Sequence, residues 1–370
     1  MAKLPCDLAL VFALSASQLL AQEVYELAPT TVTGAPDRPG AALQRPAETG
    51  SRLGVSVEQT PAAIEVVDPS VMDARADRSA GEALEGVTGL SYGNPPADPS
   101  IFSFRGFSTN AITHLYDGIR VGPATMTSRP LDTFNLARIE VLKGPASTLY
   151  GEGAVGGAVN YVTKRPQRIP FAAEGVASYG EFDHLRLGVG LGGGIGERVH
   201  YRVDLSEQNA DTFVDRTKQR YFNFTSGLLW DVTEELALEI DFDASSDDQS
   251  AYWGTPFVTS ALPGAQPIDG ILRDADGRFV DERLRQKNYN VDDNNVSSES
   301  KWARLKADWS ISKAWRLRNE FYRFDADRNW RNSEVYAFNP ATLLIDRDRF
   351  FVSHDQESIR TLTDQAVLLH

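Results

Sequence analysis

From Phe171 onward, apolar and charged residues take turns along the chain. Val199, Tyr201, Val203 and Leu205 alternate with His200, Arg202, Asp204 and Ser206. Leu236, Leu238, Ile240 and Phe242 alternate with Glu239, Asp241 and Asp243. Leu185 to Leu191 and Ala303 to Ile311 repeat the pattern, the latter against Arg304, Lys306 and Asp308. A period of two marks strands with one apolar and one charged face. Segments of about ten residues match a tilted strand crossing a bilayer. In a soluble protein the apolar face would be core. In a membrane barrel it would meet lipid, and the charged face would line the lumen.

The connections discriminate between these two. Those at Gly193–Arg198, Asp231–Glu235 and Ser312–Ala314 are short. Those at 209–219, 247–298 and 332–356 are long, although Gly180–Asp183 is short as well. Short turns at one end and mostly long loops at the other is the outer-membrane pattern. Trp230, Trp302, Trp309, Trp315, Tyr201 and Phe222 are expected to form aromatic girdles. About eight strands are predicted, the last ending near His370.

The chain ahead of these strands differs in texture. In RIEVLKGPASTLYGEGAVGGAVNYVTKRP, Arg138 to Pro166, a strand around Ile139, Val141 and Leu142 ends at Gly144-Pro145. A tight turn and a run of glycines come next, then a second strand, Ala158–Thr163. Glycine at that density lets backbone lie close against another surface. Gly151, Gly153 and Gly156 spell G-x-G-x-x-G, but they lead into a β-type run that Pro166 stops, so the strand–turn–helix setting of a dinucleotide site is missing. No Lys-Ser or Lys-Thr comes after the glycines, as a phosphate-binding loop would need.

Residues 55–137 read as a small α/β domain. Ala63–Val67 is a strand, and Asp77–Leu90 is predicted as a helix, with Ala80, Ala83, Leu84 and Val87 on one face. Gly93–Pro99 is an irregular loop, succeeded by a strand ending in Phe104-Arg105 and a loop at Asn110–Ile112. Tyr116-Asp117-Gly118 is a hairpin turn, and Gly122–Pro130 forms a third irregular apex.

As a set these segments resemble the plug domain of TonB-dependent outer-membrane receptors, siderophore receptors most of all. Arg138–Pro166 is similar to the end of that plug, and Phe104–Phe107 and Leu115–Ile119 to its middle. The resemblance runs from about Val55 to Pro166 and implies a barrel after the plug. The expected fold is a small α/β plug domain followed by antiparallel transmembrane β-barrel strands. Eight strands enclose no room for a plug of about 110 residues, since plugged transporters use about 22. Family members also usually end in an aromatic residue. The expectation is an incomplete receptor, about eight strands of about 22. Alone it would leave an unpaired edge in lipid, so a non-functional truncated receptor stays open as a reading.

Residues 1–21 read as a signal peptide: Lys3, an apolar run Leu8–Leu14, and Ser15-Ala16-Ser17. The single cysteine, Cys6, falls inside it. Residues 22–54 read as a flexible arm. Within it Tyr25, Glu26, Leu27, Thr31 and Val32 belong to a segment resembling a TonB box, which would add as a strand to the energy-coupling protein. A net charge of −14 makes nucleic acid a poor partner.

No catalytic constellation or metal-ligand spacing stands out, and Asp274-Ala-Asp-Gly277 reads as a turn rather than a calcium loop. Ligand contacts are expected at plug apices, namely Gly93, Asn94, Asn110, Ala111, Thr125, Met126 and Arg129, and at Tyr252 and Trp253 of the barrel. The resemblance implies that Arg105, Arg138, Glu140 and Lys143 latch plug to wall. Pairing within the plug, for example Arg138 with Glu140, is the open alternative. The implied function is import of a ferric siderophore, energised through the TonB complex. Iron enters only as part of the chelate, with no cofactor, and outer-membrane lipid surrounds a monomer. Cobalamin, haem or a saccharide could replace the siderophore, and a passive porin is the reading from another class.

Overall fold

The structure, a computed structural model, describes residues 41–52, 54–92, 102–122, 128–151, 153–268, 273–334 and 336–367. The signal peptide, the TonB-box-like segment, Gly93, Asn94, Thr125 and Met126 lie outside them.

The plug is built on a five-stranded sheet. Its strands are β1 (Ile64–Val67), β5 (Ile112–Tyr116), β6 (Ile119–Gly122), β7 (Leu136–Lys143) and β8 (Gly157–Thr163), in the order β1-β7-β8-β5-β6. The pairing is antiparallel except between β5 and β8. A second, three-stranded sheet joins β2 (Leu90–Tyr92), β3 (Phe102–Phe104) and β4 (Phe107–Ser108). Helices α1 (Pro69–Arg75) and α2 (Ala80–Glu85) pack beside them, and α3 (Ser147–Tyr150) is a single turn.

Helix α2 starts on a capping box: the Ser79 hydroxyl accepts from Glu82 N–H and the Glu82 carboxylate from Ser79 N–H, both at 3.3 Å. It is shorter than predicted. Arg75 donates to the Ala83 carbonyl at 2.6 Å, closing the helix where Gly86 leaves room for the guanidinium. Ala80, Ala83, Leu84 and Val87 are buried as their spacing predicts. Gly157 brings β7 and β8 together, since a Cβ there would lie 2.4 Å from the Leu142 carbonyl oxygen. The G-x-G-x-x-G leads into β8, a strand, as the residue types after it predict. The packed plug starts earlier than expected. Thr49, in the predicted arm, is fully buried and donates to Glu140.

Eight long strands form the wall: β9 (Phe171–Gly180), β10 (His184–Ile195), β11 (Val199–Asp211), β12 (Lys218–Asp231), β13 (Leu236–Gln249), β14 (Asn295–Ser312) and β15 (Trp315–Asn332), with β18 (Phe350–Val367) after a small hairpin of β16 (Tyr336–Asn339) and β17 (Leu344–Arg347). They pair in the order β18-β15-β14-β13-β12-β11-β10-β9, antiparallel throughout. Leu185, Leu187, Val189 and Leu191 lie exposed on one face, as do Ile240, Phe242 and Leu305. Asp204, Ser206, Gln208, Asp243 and Arg304 point the other way and are buried against the plug. The alternation is therefore that of a membrane wall, apolar outward and charged inward. Plug and wall share one core, in which Phe102, Leu84 and Ile139 meet Trp302, Tyr322 and Phe324.

Two expectations change here. The loop predicted at 209–219 is only 212–217, because β11 and β12 keep pairing past the end of their apolar rows. Trp302 is not in a girdle; it is 5% exposed and stacks on Tyr116 at 5.3 Å. Its phase along β14 is that of Arg304, the inward one. Trp230, Trp309 and Trp315 do face outward. The three short turns, at 196–198, 232–235 and 313–314, share one end, the periplasmic end of such a wall.

Candidate functional site

The inward face of the wall grips the plug at four levels. At the middle level, Asp117 sits at φ 49° and Gly118 at φ 80°, a two-residue turn with both central residues left-handed that joins β5 to β6. Asp117 Oδ1 accepts from Thr163 N–H at 2.9 Å and Oδ2 from the Thr163 hydroxyl at 2.8 Å. Arg165, just past β8, reaches Asp117 at 2.6 Å and Asp243 of β13 at 2.9 Å. Arg304 of β14 spans the same two carboxylates, each at 2.6 Å. Asp241 lies 3.3 Å from Arg165, and the Tyr116 hydroxyl donates to Asp243 at 3.2 Å. Two guanidiniums thus bridge three carboxylates in a layer that crosses from plug to wall, buried at Asp241, Asp243 and Arg304 and partly buried at Asp117 and Arg165.

Burial works against the Arg165 charge, but Asp117, Asp243 and Asp241 outweigh it and hold its proton more firmly than usual. Burial, with Asp243 and Asp117 adding to it, pushes the Tyr116 phenol well above its ordinary value. Tyr116 therefore acts as a hydrogen-bond donor.

Nearer the extracellular end, Asp132 of the plug is 1% exposed. It accepts from Arg186 of β10 at 2.5 and 3.2 Å and from Gln208 of β11 at 2.7 Å. Its own N–H donates to Asn223 at 3.0 Å. Asn135 donates to Thr225 at 3.1 Å and accepts from Ser206 at 2.6 Å. Higher still, Arg129 grips Asp247 through Nε at 3.0 Å and through Nη2, with its guanidinium 5.9 Å from the Trp330 ring centre. On the periplasmic side Arg318 pairs with Glu48 at 3.0 Å.

The expected latch residues do something else. Arg138 pairs with Glu140 at 2.7 Å, and Glu140 also accepts from Thr49 and Glu48 N–H groups at 3.0 and 3.1 Å. Lys143 pairs with Glu65 at 2.5 Å and donates to the Thr88 carbonyl at 2.8 Å. Arg105, at φ 49°, lies over Phe104. The reason is topological: β7 is an interior strand of the plug sheet, so its charges meet β1 and residues 48–49 rather than the wall. The alternative left open by the sequence, pairing within the plug, is the one adopted. Arg129, expected at a ligand apex, instead crosses to Asp247 of the wall.

The other apex candidates divide. Ala111 ends a short 3-10 turn with Asn110, and its carbonyl accepts from Gly156 at 2.8 Å. Tyr252 is 7% exposed and its hydroxyl meets that of Thr255 at 2.7 Å. Trp253 packs on Ala251, Val296 and Trp330. Both rings wedge the base of the 250–294 loop.

Sequence reasoning missed Asp117, Arg165, Asp132, Asn135 and their wall partners. The signal was available for the wall: Asp243 and Arg304 are charges in inward phase on adjacent strands. For Asp117 and Arg165 nothing local separates them from ordinary turn and strand-end charges. Two cavities flank the middle layer. One of about 50 Å³ touches Asp243, Trp302 and Arg328. The other, of about 210 Å³, touches Asp117, Arg165, Asp241 and Arg304 on the periplasmic side.

Residues 56–158 match the family described as TonB-dependent Receptor Plug Domain. The chain is 31% identical over 262 residues to the metal-pseudopaline receptor CntO of Pseudomonas aeruginosa, covering 69% of this chain and 36% of that receptor. It is 26% identical over 280 residues to the vitamin B12 transporter BtuB of Photobacterium profundum, covering 70% and 46%. Among solved structures, the open form of the ferric-catecholate import receptor Fiu of E. coli superposes with a TM-score of 0.72 at 20% identity, over 89% of this chain and 49% of that one. The chain thus spans less than half the length of these relatives. A matched plug, a wall with its apolar rows outward and a buried ion-pair layer between the two converge on one assignment: the chain belongs to the TonB-dependent receptors of the Gram-negative outer membrane.

Proposed function

We propose that the chain forms the plug and the first part of the wall of an importer that brings a ferric siderophore, or a closely similar metal chelate, into the periplasm. The observation that carries this reading is the middle ion-pair layer. Buried charge pairs fix geometry more than they add stability, which suits a plug held in register and released under load. Arg165, Asp117, Asp243 and Arg304 are arranged that way. The pull would come from the TonB complex on the arm that carries Tyr25 to Val32. The names of similar receptors support a chelate as cargo: one is a metal-pseudopaline receptor and another, 27% identical over 244 residues, a ferrioxamine receptor of Yersinia enterocolitica. Iron is cargo in this reading and no resident cofactor takes part.

Cobalamin is the second reading, favoured by the likeness to the vitamin B12 transporter. Uptake of radio-iron chelates and of labelled cobalamin by iron-starved cells, with and without the gene, separates the two. Gene-dependent uptake of iron chelate alone supports the proposal. Gene-dependent uptake of cobalamin alone replaces it, and no gene-dependent uptake of either defeats both.

A further inference from the structure

The extracellular-side cavity carries a charge arrangement that plug docking leaves unused. Arg328 projects inward from β15 and is 2% exposed. Its Nη1 donates to Gln356 Oε1 at 3.1 Å and lies 3.3 Å from His354 Nδ1, and neither is a carboxylate. The carboxylate at this level, Asp247, is gripped through both oxygens by Arg129. Two guanidiniums therefore share one counter-charge. Arg328 Nε–H has no hydrogen-bond partner among the described residues, and neither does His114 Nε2. His114 is 1% exposed, its ring fixed by stacking on Phe102 at 4.9 Å.

Both side chains line the same cavity, together with Ser128, Arg129, Ser245 and Ser300. Asp243 at its floor is already saturated by Arg165, Arg304 and the Tyr116 hydroxyl. Trp302 and Phe324 supply apolar walls, which strengthen any electrostatic contact made inside. A water needs roughly 10–15 Å³ of such space. The cavity of about 50 Å³ is therefore the size of one small oxyanion rather than of a whole chelate.

We propose that this cavity is an oxyanion site, in which a carboxylate- or phosphate-sized group accepts from Arg328 Nε and His114 and supplies the missing counter-charge. A buried cation is stable when such a charge satisfies it. The group is either a free anion or a carboxylate carried by the imported molecule. Binding of a phosphate probe at this site does not depend on which ligand is imported.

The test uses the receptor expressed from its gene and purified in detergent, melted in phosphate against chloride at matched ionic strength. The wild type is expected to gain Tm saturably with phosphate. Arg328→Gln should lose that saturable part, and His114→Phe, which keeps the stack, should weaken it about tenfold. Selenate soaked into crystals should give an anomalous peak between Arg328 and His114. No saturable gain in the wild type, or the same gain in both variants, overturns the site whether or not iron uptake is found. Competition tells the two sources apart within the proposal. Phosphate displaced by a carboxylate-bearing chelate but not by its amide assigns the pendant group. Phosphate bound alongside the chelate assigns the free anion.

Discussion

Asp132 shows how much one plug side chain can carry. It is held by Arg186 and Gln208, and it caps its own turn through Phe134 N–H at 2.8 Å. Replacing it with Asn leaves Arg186 buried without its counter-charge, which costs about 3 kcal/mol for a buried pair. Asp132→Asn together with Arg186→Gln should recover part of that loss. Hydrogen exchange of amides 132–136 reads the opening free energy, and equal losses in the single and double variants would show that the pair is not the cause. His114 gives a second prediction. Burial holds its imidazole down to about 4 from the ordinary 6.5. The folded plug keeps the ring neutral where the unfolded chain binds a proton, so stability is fully present above pH 6.5 and falls as pH drops toward 4. The loss is at most about 3 kcal/mol. His114→Phe should flatten that part of the pH profile, and an unchanged slope would rule this ring out as its source. At this scale the sequence was least legible. Arg138, Glu140 and Lys143 look like candidates for crossing to the wall, but only sheet order reveals that β7 is interior and that Asp117 and Arg165 make the crossing instead.

Elements were more legible, because periodicity reports which face is wet. The strands of the plug and wall match the predicted runs, and Tyr116-Asp117-Gly118 is the tight turn its residues demand. The pattern cannot report where pairing stops. Strands β14, β15 and β18 are each 18 residues long, against about ten needed to span the bilayer, so their outer parts pair beyond lipid, where polar residues are interrupted by a small apolar cluster of Val296, Trp330 and Val352. The apolar signal ends at the membrane edge while the hydrogen-bond ladder continues, and loops look longer than they are. Trp302 illustrates the converse: residue type suggests a girdle, whereas phase, which decides, places it inward on Tyr116 and Phe324. Gly157 tests the element scale directly. A Cβ placed 2.4 Å from the Leu142 carbonyl must force β7 and β8 apart, so Gly157→Ala should destabilise the plug by about 1–3 kcal/mol. A denaturation midpoint for the plug unchanged from wild type would show that the backbone yields without cost.

For the molecule as a whole, the eight-stranded sheet and the plug are legible as one system only when taken together. A sheet with charges on one face and apolar rows on the other could be half of a soluble sandwich; the buried polar layers on its inner face, filled by plug residues, make it a wall. Strands β9 and β18 each have a single neighbour in the sheet, and closed barrels that hold a plug use about 22 strands. If import requires the plug to move against this wall, fixing one contact between them should stop it. Asn135 and Ser206 touch at 2.6 Å across the interface, and the only cysteine of the chain is Cys6. Asn135→Cys with Ser206→Cys, introduced into the receptor expressed from its gene, should form a disulfide that tethers plug to wall about midway along β11. Oxidised cells should then bind ligand at the surface but take up at least tenfold less, and a reductant should restore uptake. Each single-cysteine variant should transport normally in both states, which separates the tether from the loss of the Asn135 hydrogen bonds. Full uptake by the oxidised double variant would mean that the plug segment around Asn135 stays docked during transport, and that the path opens elsewhere along the wall.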